Sequence, residues 1–271
     1  MPILHLAILA LVQGITEFLP ISSSGHLVLV PHVMQWQDQG LLLDVAVHVG
    51  TLGAVMVYAW REIGMMLSGS WKLMRGRVDQ GTRLMLQVIL GSIPVVIAGY
   101  AIAKYAGGML RSVEIIGWTT LGFGLLLGLA DRVGMTVRRL EHMSYGSALA
   151  IGMAQVLALI PGTSRSGITM TAARALGYER AEAARFSMLI GAPILAAAGL
   201  YGALGLMDAP ADGLVTLQDG MIVAGVAFLT GLASIAALMA ILRRMSFLPF
   251  VLYRFALGVA LILTTPAIGL L

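Results

Sequence analysis

The sequence predicts an all-α, polytopic membrane protein with six transmembrane helices and two re-entrant helical hairpins in an inverted-topology repeat. Of the 271 residues, 59% are apolar and only 11% are charged, whereas ordinary soluble domains carry about 25% charged residues. So little charge could not cover the surface of a soluble domain. The absence of cysteine excludes disulfides, thiolate catalysis and cysteine-based metal sites. The net charge of +4 is spread through short loops and gives no sign of nucleic-acid binding.

Six segments are apolar enough, and long enough at roughly 20 residues each, to cross the hydrocarbon core. The 33 glycines and 17 methionines are typical of closely packed membrane helices. No cleavable signal peptide is expected, because the first residues lack a charged region and no small-residue cleavage site follows them. The six predicted spans are 41–60, 84–106, 113–130, 184–206, 219–242 and 249–270.

Two further apolar stretches are each interrupted by a polar sequence that contains glycine. The stretch 2–35 is broken at residues 19–25, and the stretch 146–178 is broken at residues 161–167. After each break only some 12 helical residues remain, about 18 Å at 1.5 Å per residue, which is too short to cross a bilayer. Each stretch therefore predicts a re-entrant hairpin of two half-helices, with a polar break that lines a cavity.

The distribution of basic residues predicts the orientation. Thirteen of the 17 Lys and Arg residues lie in segments 61–83, 131–143, 174–185 and 243–244, whereas the loop 207–218 contains two aspartates and no basic residue. We interpret these basic segments as a solvated face that takes no part in catalysis. The positive-inside rule places them in the cytoplasm. The first hairpin then opens to the outside and the second to the cytoplasm, and both termini lie outside.

The chain is predicted to be a single membrane domain made of two repeats, residues 1–142 and 143–271. Each repeat has one hairpin followed by three spans, and an odd number of spans gives the two halves opposite orientations. Inverted repeats with broken helices place their ligand site near the midplane, so we expect the two breaks to meet there. Gln13, Ser22, Ser24 and Gly25 align with Gln155, Ser164, Ser166 and Gly167 at an offset of 142, and Pro20 and Gly50 align with Pro161 and Gly191 at 141.

Each break leads into a helix N-terminus rich in serine, which predicts an anion site. Hydroxyl groups, free backbone N–H groups and the helix dipole all favour a bound anion there. Two such termini beside Arg165 would hold a diphosphate. For Ser22 and Ser164 taken alone, simple capping of the half-helices is the favoured alternative. The candidate binding residues are Gln13, Ser22, Ser24, Gly25, Thr163, Ser164, Ser166 and Gly167.

Arg165 and Glu17 are ionisable residues at membrane depth. Insertion of a cation there costs at least about 2.5–3.5 kcal/mol, so such a residue normally faces a partner or a substrate. We expect Arg165 to bind the anion; the alternative is a structural ion pair with Glu17. Glu17 lies one turn after Gln13, at a helix C-terminus that disfavours an anion. This placement indicates a general base or a metal ligand, and the alternative is a neutral glutamic acid that locks the hairpin.

Two further pairs of residues have spacings that suit chemistry. Ser23 and His26 lie three residues apart on the second half-helix, where a nucleophile and its acid–base partner can meet. The alternative for His26 is a structural histidine. Asp44 and His48 lie four residues apart in the first span. They either support the site, as metal ligands or by orienting the residues that bind there, or fix helix packing.

The sequence QGITEFLPISSSGH of residues 13–26 resembles the first signature of the undecaprenyl-diphosphate phosphatase, or bacitracin-resistance, family. The sequence PGTSRSG of residues 161–167 is similar to the second signature, and the resemblance includes residues 44–51 and 180–186. The family implies hydrolysis of undecaprenyl diphosphate to the monophosphate carrier, which serves cell-wall synthesis and confers bacitracin resistance. It also implies a bacterial plasma membrane location and stimulation by Mg²⁺ or Ca²⁺.

Mapped onto this sequence, the resemblance implies catalytic roles for Glu17, Ser23, His26 and Arg165. Because Gln13 stands where the family has Glu or Gln, a metal bound to Glu17 needs another oxygen ligand, either Asp44 or the phosphates of the substrate. Ser23 and His26 are both candidate nucleophiles, and the sequence does not choose between them.

The expected partners are a polyprenyl diphosphate, whose tail lies between helices, and membrane lipids. Nucleic acid is not expected, and the sequence leaves a homodimer open. The active site is expected to open to the outer face. A lipid-phosphate flippase or anion transporter that uses the same midplane site is the alternative function.

Overall fold

The computed structural model describes residues 3–34, 41–105, 112–207 and 216–268, and the regular structure of this part is helical. Short 3₁₀ turns at Leu140–His142 and Val156–Leu159 accompany the α-helices. The α-helices of the described part are α1 (Ile3–Phe18), α2 (Ser23–Met34), α3 (Leu41–Tyr58), α4 (Trp60–Met74), α5 (Gln80–Tyr105), α6 (Val113–Val133), α7 (Tyr145–Gln155), α8 (Arg165–Ala175), α9 (Arg180–Met207), α10 (Leu217–Leu242) and α11 (Leu248–Ile268).

Within the described residues, four helical stretches are long and apolar enough to cross a membrane. They are Gln80–Ile102, Val113–Val133, Arg180–Leu204 and Gln218–Leu242. They lie in α5, α6, α9 and α10, where four of the six spans were predicted, and they agree with a polytopic membrane protein. The remaining two predicted spans are also helical, because α3 and α11 occupy them.

Both interrupted stretches form a pair of helices, as predicted. α1 and α2 are separated by residues 19–22, and α7 with its 3₁₀ turn is separated from α8 by residues 160–164. α2 has 12 residues and α8 has 11, which is well below the length needed to span about 30 Å. A proline in each break lacks the N–H group that a continuing helix requires.

Helix α4 was not predicted, because residues 61–83 were interpreted as a basic loop. Arg61 and Lys72 of this segment instead lie on an amphipathic helix that packs on α5. The guanidinium groups of Arg61 and Arg75 lie 5.3 and 5.0 Å from the ring centroids of Trp60 and Trp71. The prediction considered only the charges of this segment. Its apolar residues recur every three or four positions, which is the pattern of an amphipathic helix.

The charged segments predicted to be solvated are exposed, including Lys72 and Arg138. Just before α5, the carboxylate of Asp79 accepts a hydrogen bond from Lys72 Nζ at 2.7 Å and another from the N–H of Thr82 at 2.9 Å. The bond from Lys72, followed by those from Thr82, holds the pKa of the Asp79 carboxyl well below its usual range. These contacts cap α5 at its N-terminus.

Arg174 is an exception among the basic residues assigned to loops, because its side chain is completely buried. Its guanidinium donates to Asp131 Oδ1 at 3.0 Å and to the Gly134 carbonyl at 3.0 Å. Asp131 also accepts hydrogen bonds from Arg180 Nε at 2.7 Å and from the Phe247 N–H at 3.0 Å. The pair therefore ties the ends of α6 and α8 to the starts of α9 and α11.

The two hairpins pack against helices that are distant in sequence. α1 packs along α10, and α7 packs along α5, while α3 contacts both α9 and α10 and α6 contacts α11. Buried apolar side chains fill the space between these helices, including Phe18, Ile235 and Phe247. This packing brings the break of each hairpin towards the break of the other.

Candidate active site

Both breaks contain a serine in the left-handed backbone region, with φ of 74° at Ser22 and 68° at Ser164. A positive φ is uncommon for a residue other than glycine and tends to occur at functional sites. Each of these serines caps the half-helix that follows. Ser22 Oγ accepts from the Gly25 N–H at 3.4 Å, and Ser164 Oγ accepts from the Gly167 N–H at 3.2 Å. The capping role that the sequence favoured for these two serines is therefore confirmed.

The serine two residues after each of these, Ser24 or Ser166, also makes corresponding contacts in the two breaks. The hydroxyls of Ser22 and Ser24 lie 3.1 Å apart, and those of Ser164 and Ser166 lie 3.3 Å apart. Residues that the sequence alignment pairs thus make matching contacts in the two breaks.

The two breaks contact each other through this second pair of serines. The Gly162 N–H donates to Ser24 Oγ at 2.9 Å, and Ser166 Oγ donates to the Leu19 carbonyl at 2.9 Å. Each hairpin thereby satisfies a backbone group of the other. The prediction that the two breaks meet is confirmed.

Arg254, on α11, holds both breaks in place. Its side chain is completely buried, and its guanidinium donates to the carbonyls of Gly162 at 3.1 Å, Thr163 at 3.0 Å and Thr120 at 3.1 Å. A longer contact of 3.5 Å reaches the Pro20 carbonyl in the first break. Because guanidinium is a rigid fork of donors, it fixes several carbonyls at once.

Sequence reasoning missed Arg254. The signal was available, because a lone arginine within the predicted span 249–270 is as costly at membrane depth as Arg165.

Glu17 and Arg165 form an ion pair between the two hairpins. Glu17 Oε1 lies 3.3 Å from Arg165 Nη2, and the side chains are 10% and 14% exposed. Gln13 Nε2 donates to the other carboxylate oxygen of Glu17 at 2.7 Å, and Arg165 Nη1 donates to the Ser187 carbonyl at 3.3 Å. The ion pair that the sequence offered as a structural alternative is thus present. It also places the guanidinium where the two breaks meet.

Several buried polar atoms around the breaks have no hydrogen-bond partner among the described residues. Buried polar groups are normally hydrogen-bonded, and leaving one unsatisfied costs about 1–3 kcal/mol. Donors and acceptors are both present, so these atoms suit a polar ligand. The atoms are Gln13 Oε1, both amide atoms of Gln155, Thr163 Oγ1 and Arg165 Nε.

His26 is hydrogen-bonded through both ring nitrogens. Nδ1 lies 2.7 Å from the Ser22 carbonyl oxygen, and Nε2 lies 2.6 Å from the hydroxyl of Tyr253 on α11. The satisfied histidine that the sequence allowed as an alternative is therefore observed. Ser23 begins α2 three residues before His26 and is half-buried.

An apolar groove of about 450 Å³ opens beside His26 between α1 and α11. Its walls are mostly aliphatic and aromatic, and His26 and Tyr253 both line it. The lining side chains include Val12, Ile15, Leu19, Pro249 and Phe250.

A larger cavity of about 770 Å³ lies among charged residues of α4, α5 and α9, including Glu62, Arg83 and Arg185. None of the predicted site residues lines it, so it is separate from the candidate site.

Of the two predicted metal ligands, Glu17 and Asp44, Glu17 has a described side chain. Asp44 lies in α3 but outside the residues whose side chains are described, so its relation to Glu17 stays a prediction. Within the described part, no three His, Asp or Glu side chains cluster as they would around a metal ion.

Comparison with known proteins gives consistent matches over almost the whole chain. The family model for bacitracin resistance protein BacA matches residues 6–260. Undecaprenyl-diphosphatase 1 of Rhodospirillum rubrum is 50% identical over 271 positions, which cover 97% of this chain and 95% of that protein. The undecaprenyl-diphosphatase of Ruegeria pomeroyi is 48% identical, with 97% and 98% coverage. That of Hyphomonas neptunium is 50% identical, with 99% coverage of both chains.

Proposed function

Because the chain belongs to the bacitracin resistance protein BacA family, we propose that it hydrolyses undecaprenyl diphosphate to undecaprenyl phosphate and inorganic phosphate. The name undecaprenyl-diphosphatase, carried by relatives that match nearly the full chain, supplies the substrate. The reaction regenerates the monophosphate carrier for cell-wall synthesis. The family description adds a contribution to bacitracin resistance.

The contact between the two breaks is the observation that supports this function best. It brings two helix N-termini together beside the Arg165 guanidinium, within 3.3 Å of Glu17. Helix N-termini and a guanidinium all favour a multiply charged anion. A diphosphate has oxygens on two phosphorus atoms and so matches two anion-binding termini.

In the proposed mechanism, Ser23 Oγ attacks the terminal phosphorus of the substrate. The bond from that phosphorus to the bridging oxygen breaks, and the lipid monophosphate leaves with the bridging oxygen. His26 accepts the proton of Ser23. Water then attacks the phosphoserine, which releases inorganic phosphate and restores the serine. Arg165 and the backbone N–H groups of the breaks offset the negative charge of the transferring phosphoryl group.

The contacts of His26 favour Ser23 over His26 as the nucleophile. A carbonyl oxygen only accepts hydrogen bonds, so Nδ1 beside Ser22 carries a hydrogen and has no free lone pair. The other nitrogen, Nε2, is covered by the Tyr253 hydroxyl at 2.6 Å. Attack by His26 on phosphorus would therefore require Tyr253 to move away from Nε2.

The apolar groove beside His26 is the proposed path of the prenyl tail. Leu19 and Ile21 of the first break are among its lining residues, so the diphosphate could lie at the breaks while the tail remains among apolar side chains. Transfer of an apolar chain into such a groove is favourable by about 0.8 kcal/mol for each buried CH₂.

A divalent cation, Mg²⁺ or Ca²⁺, fits the donor set when the substrate supplies further oxygens. The Oε1 atom of Gln13 is buried without a partner among the described residues, next to the Glu17 carboxylate. Mg²⁺ is commonly held by one or two carboxylates together with substrate phosphates. We propose that Glu17 and Gln13 would hold the ion, and that Asp44 remains a candidate ligand. When bound, the ion would supply positive charge to the phosphates.

The finer topology is part of the proposal. We propose that the α1–α2 and α7–α8 pairs are re-entrant hairpins of two inverted repeats, residues 1–142 and 143–271, in the bacterial plasma membrane. The basic segments would lie in the cytoplasm, and the active site would open to the outer face. A homodimer is compatible with this arrangement.

The test is phosphate release from undecaprenyl diphosphate by the purified protein in detergent, where no compartments exist. We expect turnover by the wild type and a loss of at least about 100-fold in Arg165→Ala, the scale of losing one transition-state hydrogen-bond donor. Arg61→Ala, which removes an exposed arginine of α4, should leave turnover unchanged. A lipid-phosphate carrier would instead release no phosphate in detergent and would move lipid phosphate across vesicles.

The nucleophile is identified by trapping and sequencing the phosphorylated peptide. We expect phosphate on Ser23 and no turnover by Ser23→Ala. Full turnover by Ser23→Ala, together with none by His26→Ala, would overturn the serine mechanism.

A further inference from the structure

Tyr253 contacts His26, the proposed general base, although Tyr253 belongs to neither of the two signature sequences. Its hydroxyl oxygen lies 2.6 Å from His26 Nε2. The two rings stack, with centroids 5.6 Å apart and planes 5° from parallel. The residues are 227 positions apart in sequence, so tertiary packing alone makes this contact. We infer that Tyr253 is a positioning residue that fixes the tautomer and ring plane of His26, an inference that rests on the proposed hydrolysis.

The hydrogen bonds of His26 determine which nitrogen is basic. Because the Ser22 carbonyl can only accept, the hydrogen of neutral His26 lies on Nδ1. Nε2 is then the acceptor, and the Tyr253 hydroxyl is its donor. Ser22 and Tyr253 together select one tautomer, as the partner of one ring nitrogen usually does.

A phenolic hydroxyl suits both protonation states of His26, because it donates and accepts hydrogen bonds. When His26 is neutral, the hydroxyl donates to Nε2; when His26 is protonated, the hydroxyl rotates and accepts from the Nε2–H group. The imidazole ring need not move between the two states. Holding a catalytic group in one geometry is worth a large share of a reaction barrier.

Tyr253 is itself held where this role requires it. The adjacent residue on α11, Arg254, donates to the carbonyls of Gly162 at 3.1 Å and Thr163 at 3.0 Å in the second break. The ring of Tyr253 lines the apolar groove, while its hydroxyl faces His26. Tyr253 therefore contacts both the groove proposed for the prenyl tail and His26, the proposed base.

The test is Tyr253→Phe, which keeps the stacked ring and removes only the hydroxyl. We expect kcat for phosphate release from undecaprenyl diphosphate to fall by about 10- to 100-fold, less than the ~10²–10⁴-fold that a general base contributes as a whole. KM should stay within about twofold, because the hydroxyl does not hold the phosphates. Tyr201→Phe removes a hydroxyl from an exposed residue of α9 and should change neither constant.

A second measurement separates positioning from a general structural role. If Tyr253 acts through His26, then Tyr253→Phe made in the His26→Ala protein should cause no further loss of kcat. An equal loss in both backgrounds would overturn the inference, as would wild-type kcat in Tyr253→Phe alone. Absence of phosphate release by the wild type would instead refute the proposed function itself. Melting temperatures of the variants check that each protein remains folded.

Discussion

Replacement of Gly191 by alanine should disable the site while leaving the fold intact. Gly191 lies on α9 directly beneath the Arg165 guanidinium. A Cβ atom there would lie 1.7 Å from Arg165 Nη1 and 2.5 Å from Cζ, whereas ordinary contact begins at about 3.4 Å. The guanidinium must therefore move by about 1.7 Å. Its hydrogen bonds to Glu17 and to the Ser187 carbonyl are already 3.3 Å long and would not survive such a displacement.

The expected effects on activity and stability differ in size. A displacement of about 1 Å in a catalytic group can cost about 100-fold in rate, so we expect at least that loss of phosphate release. The protein should still fold, because the displaced atoms are the flexible end of a side chain and the backbone need not move. The hydrogen bonds that Arg165 loses should cost about 1–3 kcal/mol, partly offset by the preference for alanine over glycine in a helix interior, up to about 1 kcal/mol. The melting temperature should therefore fall by several degrees, at about 2–4 °C for each kcal/mol in a chain of this size.

The assay pairs phosphate release with thermal unfolding for three glycine variants. Gly199→Ala is the control on the same helix, because its Cβ would meet only Val49 Cγ2 at 3.8 Å. Gly50, which aligns with Gly191, differs in its surroundings. Its Cβ would lie 2.3 Å from the Ala224 carbonyl oxygen, so Gly50→Ala must displace backbone and should lower stability. Wild-type activity in Gly191→Ala would refute the reasoning, since the position of Arg165 would then not matter.

Two further substitutions probe the buried arginines. Arg254→Lys replaces a fork of donors by one ammonium group. At least one of the three carbonyls that now lie 3.0–3.1 Å from the guanidinium should then lose its donor, which should lower the stability by about 1–3 kcal/mol. An unchanged melting temperature would contradict this. Asp131→Asn should cost about 3–5 kcal/mol by leaving the buried Arg174 without its carboxylate. Glu179→Gln, in the exposed pair with Arg139, should cost under about 1 kcal/mol, and equal losses would show that burial of the pair is irrelevant.

The breaks could be predicted from the sequence because local chemistry determines them. Pro20 and Pro161 each remove a helical N–H group, and the serines that follow cap the next half-helix. Their meeting could also be predicted, because the aligned residues imply related hairpins. The hydrogen bond from the Gly162 N–H to Ser24 Oγ at 2.9 Å confirms that prediction.

The contribution of α11 could not be derived from local pattern. Tyr253 reaches His26, and Arg254 reaches the Gly162 carbonyl, only through the packing of α11 on the two hairpins. The burial of Arg174 has the same origin, because Asp131 lies 43 residues away in sequence. Position in a predicted span marks such a residue as costly, but its partner depends on the tertiary fold.

When the two hairpins are aligned, the residues that shape the breaks are shared, whereas the residues proposed for catalysis differ. The capping serines and the following glycines are the same in both breaks, and they make matching hydrogen bonds. Three other aligned positions differ completely: Glu17, Ser23 and His26 of the first hairpin align with Leu159, Arg165 and Ile168 of the second.

This difference is what distinguishes an enzyme from a carrier at such a site. Two equivalent helix N-termini would be enough to bind an anion from either side of the membrane, as a carrier requires. Catalysis needs groups whose interactions strengthen only in the transition state. For phosphoryl transfer these are a nucleophile with its base at the phosphorus and a cation that stabilises the charge. In the proposed mechanism the first hairpin provides Ser23 and His26 for these roles, and the second provides Arg165. The difference between the aligned positions therefore favours hydrolysis over transport.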